Sequence, residues 1–255
     1  MQTRCHRPLL ILLVTTIAFQ AHAQWSPDAT MDLGMGYGQM TLSQSSLQGT
    51  RSIGAAGKRA FVDRAAPTES KSASKNAPPA RPAALRYVPA AEVSALVNQR
   101  FIDWQSSTRP ELRAQLTKGI RSGELQGYFR QLITRRGFLP NDLADVSAVY
   151  YISLWQVLHG REVSARQAAG VRRQIRDAMA LEPRLTSLPD ARQQEIAETF
   201  ALHTALALRG YEQLVRDKNT ALLRDFRTGL QRKLVPQGPD LMGLAVSDEG
   251  FVARR

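Results

Sequence analysis

From Tyr87 to Leu234, apolar residues recur every three or four positions, the spacing of one buried face on an α-helix. Val93, Leu96, Val97, Phe101 and Trp104 share a face of a first helix expected over about 90–106. Thr108 is placed to cap a second, with Pro110 in its first turn and Leu112, Leu116 and Ile120 on one stripe. Leu125, Phe129, Leu132 and Ile133 mark a third, which Gly137 ends. Asn141 is expected to cap a fourth, with Asp142 and Asp145 in the first turn, where the helix dipole favours acids. From Val146 to Leu158 this helix is apolar in nearly every direction, which places it at the centre of the fold, and Gly160 closes it after His159. Ser164 caps a fifth, with Ala168, Val171, Ile175 and Met179 inward, and Pro183 forces an end. A sixth starts at Ser187 with Pro189 in its first turn and runs to about Leu208, burying Ile196, Phe200, His203 and Ala207; Gly210 is expected to bend or break it. The last, over about 219–234, carries Leu223, Phe226, Leu230 and Leu234 and stops at Pro236 and Gly238. Leu241, Leu244, Val246 and Phe251 then pack back on the helices, with no convincing alternating strand and no repeat of fixed period. The expected fold is all-α: an irregular bundle of about six to seven helices over 87–255.

Ahead of Tyr87 the pattern changes twice. Arg4, His6 and Arg7 form a basic start, Leu9 to Phe19 is an apolar run broken only by Thr15 and Thr16, and Ala21-His22-Ala23 supplies small-x-small. That order is the signature of a Sec-type signal peptide over 1–23, cleaved after Ala23, and implies a periplasmic or secreted protein. The run is shorter than the roughly 20 residues a spanning helix needs, and no second such run follows, so no integral membrane span is expected in the mature chain. Residues 24–86 are rich in Gly, Ser, Ala and Pro, with too few apolar residues to offset the entropy of ordering; a disordered arm is expected there. The cluster Gly34-Met35-Gly36-Tyr37-Gly38 lacks the strand and helix that a phosphate-binding loop requires.

Charge sharpens this division. The 255 residues carry +12, which falls to +10 when Arg4 and Arg7 leave with the signal peptide. Residues 44–86 hold eight basic side chains against Asp63 and Glu69, so +6 of the mature charge sits on the arm. A solvated spacer and an electrostatic arm for anionic cell-envelope polymers both fit, and the scattered spacing favours the spacer. The single cysteine, Cys5, precedes the cleavage point, so thiol catalysis, thiol redox chemistry and disulfides are excluded from the mature protein.

Few side chains suggest chemistry. His159 and His203 survive processing, but neither has a ligand-type partner one helical turn away, so both read as structural, with Thr199 and Thr204 near enough to satisfy His203. No metal site and no cofactor is expected. Glu195 and Glu198 are three apart on one helix, as are Asp142 and Asp145; glycosidases use two carboxylates, but spacing along one helix does not put them across a scissile bond. No Gly-x-Ser-x-Gly occurs for a hydrolase triad. Gly119, Gly123 and Gly127 read as a helix boundary at Ser122-Gly123. Arg166, Arg172, Arg173 and Arg176 crowd the side of the fifth helix opposite Val171 and Ile175, either as a solvated face or as an anion-binding patch. Nucleic acid is not an expected partner, because the patch carries no interleaved aromatics and the chain reads as exported.

Leu143-Ala144-Asp145-Val146 leading into Trp155 and Gly160, then Gly238-Pro239-Asp240-Leu241 and Ser247-Asp248-Glu249-Gly250-Phe251, resemble an uncharacterised family of exported all-helical proteins of Gram-negative bacteria, a domain of unknown function. The resemblance covers about Leu143 to Phe251 and implies a helical fold and an exported setting, with no activity and no catalytic residues. Together these features lead to an exported, non-enzymatic protein that binds an anionic envelope polymer or another envelope protein. The alternative is an envelope glycan hydrolase using carboxylates, a reaction that needs neither cofactor nor cysteine.

Overall fold

The computed structural model describes residues 85–107, 110–234 and 239–254. The expected signal peptide, all of the arm up to residue 84, the Thr108 cap and the Pro236–Gly238 stop lie outside the described residues. Among the described residues, seven helices longer than one turn form: α1 (Ala91–Gln105), α2 (Arg113–Arg121), α3 (Glu124–Arg135), α4 (Leu143–His159), α5 (Ala165–Ala180), α6 (Asp190–Arg216) and α7 (Thr220–Leu234). Pro110–Leu112 is a 3-10 turn rather than the start of α2, and Pro183–Thr186 adds a single helical turn. The all-α expectation holds, with one addition at the C-terminal end described below.

α4 is the centre, with fifteen of its 17 residues buried. The long α6 crosses it and also meets α1, α3 and α7, while α5 packs on another side of α4. At about 1.5 Å rise per residue, α6 is roughly 40 Å long and reaches most of the domain. Gly210 does not break α6: it sits buried inside a continuous helix. The cost of an interior glycine is only about 1 kcal/mol, and packing on both sides outweighs it. Among the described residues no helix is long and apolar enough to cross a membrane.

Helix ends follow local chemistry. Gly123, Gly137 and Gly160 all take positive φ, so the Ser122-Gly123 boundary and the two stops occur where expected. Ser164 and Gln167 form a reciprocal capping box on α5, a device that contributes about 1 kcal/mol. The cap of α4 differs from expectation by one residue. Asp142 is the N-cap, accepting from the Ala144 and Asp145 N–H groups at 3.1 Å. Asn141 instead pairs with the incoming chain, its carbonyl accepting from the Tyr87 N–H at 3.2 Å. The Leu143 N–H donates to Leu85 in turn, so 85–87 and 141–143 are laced together at the head of α4.

The addition is a hairpin. β1 (Leu244–Ser247) pairs antiparallel with β2 (Gly250–Ala253), with Leu244 opposite Ala253 and Ser247 opposite Gly250. Each strand has four residues, too short for an alternating pattern to show against the helical background. Side chains of α4 and α5 hold it in place. Gln174 grips Phe251 at both backbone groups, accepting from its N–H at 2.8 Å and donating to its carbonyl at 3.0 Å. Gln167 donates to Val246 O, and Trp155 Nε1 donates to Leu244 O at 3.0 Å.

Candidate functional site

Two polar clusters and one cavity organise the chemistry of the domain. The first cluster lies at the head of α4. Asp142 and Asp145 are fully buried. Arg172, one turn before Arg176 on α5, grips Asp145 with two hydrogen bonds of 2.6 Å. Arg176 Nη2 reaches both carboxylates at 2.7 Å. The Leu139 N–H donates to Asp145 Oδ2 at 2.8 Å, and Arg172 also lies over the Phe138 ring. Burial by itself would raise the Asp145 carboxyl, but the hydrogen bonds from Arg172, Leu139 and Arg176 outweigh it and hold the group below the ordinary carboxylate range. Arg86 Nε adds a longer ion pair to Asp142 at 3.7 Å.

This geometry changes the reading of the arginine face. Arg172 and Arg176 are half-buried and turned onto α4 rather than exposed on the outer side of α5. Arg173 and Arg166 remain exposed, and both address Asp248 in the hairpin turn. The four guanidiniums therefore do not converge on one anion position. One helical turn between Arg172 and Arg176 puts both over the same pair of acids, so internal charge pairing accounts for the crowding.

The second cluster joins α1 to the start of α6. Glu195 is buried and paired with Arg100 at 2.6 Å and with Arg192. Gln194 clasps Ala90 at both backbone groups, at 2.8 Å and 2.9 Å. Glu198, one turn on, accepts through Oε1 from Ser94 Oγ at 2.7 Å and from Gln194 Nε2 at 2.8 Å. Glu195 and Glu198 thus point to different partners and do not face each other. Of the histidines, His159 stacks on Trp155 at 4.3 Å and contacts Leu241 O at 3.0 Å. His203 is buried edge-on against Phe101 and Trp104. The Thr199 and Thr204 hydroxyls donate to carbonyls of their own helix.

The cavity opens beside this second cluster. It measures about 450 Å³ and lies between α1, α3, α6 and the 87–89 and 140–141 segments. Tyr87, Pro89, Phe129, Pro140 and Leu202 are its larger apolar or aromatic lining residues, and Ala197 and Ala201 are small ones. Ser94, Asn98, Gln126, Asn141, Arg130 and Glu198 supply the polar groups. Glu198 is the one carboxylate among these lining residues. The Tyr87 phenol, which donates to Pro140 O at 3.1 Å, is pushed well above its ordinary range by burial and then by the negative charges of Glu198 and Asp142. A mostly apolar, part-enclosed space of this size with a few converging polar groups is the form of a small-molecule site.

Sequence reasoning singled out Glu198 but not its neighbours. A signal for them existed: Ser94 and Asn98 on α1, and Gln194 and Glu198 on α6, are polar pairs four apart beside apolar stripes. Among the described residues, no group of three or more potential metal ligands converges. A family model described as a family of unknown function (DUF6683) matches residues 2–235. Neither the curated proteins nor the solved structures contain a match to the chain.

Proposed function

The chain belongs to this family of unknown function (DUF6683), and from that premise we propose that it is an exported, non-enzymatic binding protein whose ligand site is the cavity between α1, α3 and α6. The observation that carries the reading is the cavity itself: about 450 Å³, walled mainly by apolar groups, with one carboxylate and several amides. Binding sites are built this way because apolar walls supply affinity and a few polar groups fix orientation. Cleavage by the two-carboxylate route needs a second acid across the bond, and Glu195 is turned away onto Arg100 and Arg192. Export is supported by the basic start, the apolar run from Leu9 to Phe19 and Ala21-His22-Ala23. The basic stretch 44–86 would keep the domain near anionic envelope polymers through long-range attraction.

Expression of the full chain in a Gram-negative host tests this directly. Recovery from the periplasm or medium with Gln24 as the new N-terminus is expected, together with a non-covalent small molecule seen by native mass spectrometry and lost on denaturation. A chain retaining Met1 in the cytoplasm overturns export. A chain that turns over cell-wall polysaccharide overturns the non-enzymatic reading.

A further inference from the structure

We propose that the ligand is a small amphipathic amine, with its ammonium held by Glu198 and its apolar body against Phe129 and Leu202. This rests on the cavity being the ligand site. Three observations select the charge. Glu198 uses Oε1 for Ser94 and Gln194, while among the described residues nothing donates to its Oε2. Gln126 commits its amide N–H to Asn98 at 3.0 Å, which leaves its Oε1 buried and without a hydrogen bond. Glu198 and Gln126 both line the same cavity, so a donor-bearing guest there lies beside both side chains. An anion would meet Glu198 as a like charge, and a purely apolar guest would leave Gln126 Oε1 unsatisfied. An ammonium carries three donors and a positive charge. The single cation of the wall, Arg130, is exposed, so solvent screens its effect on a guest inside. The volume favours a whole small molecule over one inserted side chain, since drug-sized guests occupy cavities of roughly 300–1,000 Å³.

Calorimetric titration at neutral pH with phenylbutylammonium and its alcohol analogue, phenylbutanol, separates charge from shape. For the full chain, the ammonium is expected to bind at least about tenfold tighter than the alcohol. In Glu198→Gln, which keeps an oxygen for Ser94, that difference is expected to vanish. A thermal melt of the variant matched to the parent shows that the fold is intact. Equal affinity of the two compounds for the parent, or a preference that survives Glu198→Gln, overturns selection for a cation and leaves the cavity reading standing. If neither compound binds, both readings fall.

Discussion

Replacing Asp145 with asparagine is expected to lower the unfolding free energy by about 3 kcal/mol, the scale for removing one partner from a buried ion pair. The reason lies less in the bonds lost than in what they leave behind. Arg172 gives Asp145 two hydrogen bonds and Arg176 gives it one, and both guanidiniums are packed against α4. An asparagine amide at that point presents an N–H toward donors and removes the charge that offsets their desolvation. The cluster also ties α5 to the head of α4 and, through the Leu139 N–H, to the preceding loop. Acid should reproduce part of the loss. The Asp145 carboxyl is held below its unfolded-state value, near 3.9, so its contribution is complete above that pH and disappears as pH falls through the lower, folded value. Urea titrations of parent and Asp145→Asn between neutral pH and about pH 3 check both points. The stability gap should be widest at neutral pH and narrow as the solution becomes acidic. A gap under about 1 kcal/mol at neutral pH would remove the cluster from any central role.

Gly170→Ala is expected to cost about 2 kcal/mol and to undock the hairpin. Gly170 lies on α5 directly under the hairpin turn. A Cβ built there would sit 2.3 Å from Asp248 O, 2.7 Å from its carbonyl carbon and 2.8 Å from Gly250 N. Those atoms are backbone, so relief requires the strands to move as a unit, and overpacking of this kind costs about 1–3 kcal/mol. Movement would also pull Phe251 from Gln174 and Val246 from Gln167. Hydrogen exchange reads this locally: the Phe251 amide should lose protection in the variant while amides within α4 keep theirs. Unchanged protection at Phe251 would show that the contact relaxes without displacing the hairpin.

The parts of the fold legible in the sequence are those decided within one or two helical turns. Gly137, Gly160 and Ser164 end or start helices through their own backbone and side chains, so the expected boundaries are the observed ones. Partners far apart along the chain were not legible. Arg172 and Asp145 are 27 residues apart, and helical spacing assigns a face but not what covers it. The same limit separates Glu195 from Glu198: three residues apart, one meets arginines and the other borders the cavity. Gly210 shows the converse, a local breaker overridden by burial on every side. The hairpin depends on Gln174 and Trp155, which receive backbone groups from 77 and 89 residues away. The cavity is a further case. Its wall draws on α1, α3 and α6 and two connecting segments, with the small side chains of Ala197 and Ala201 among the lining residues of α6.

Binding in that cavity is tested most directly by methyl NMR of the full chain titrated with phenylbutylammonium. Leu202 lines the cavity, Leu214 is fully buried outside its wall, and Leu181 is 82% exposed on the surface. A saturable shift at the Leu202 methyls, with Leu214 and Leu181 unmoved, is the predicted result. Shifts confined to Leu181, or no saturable shift at Leu202, would contradict it.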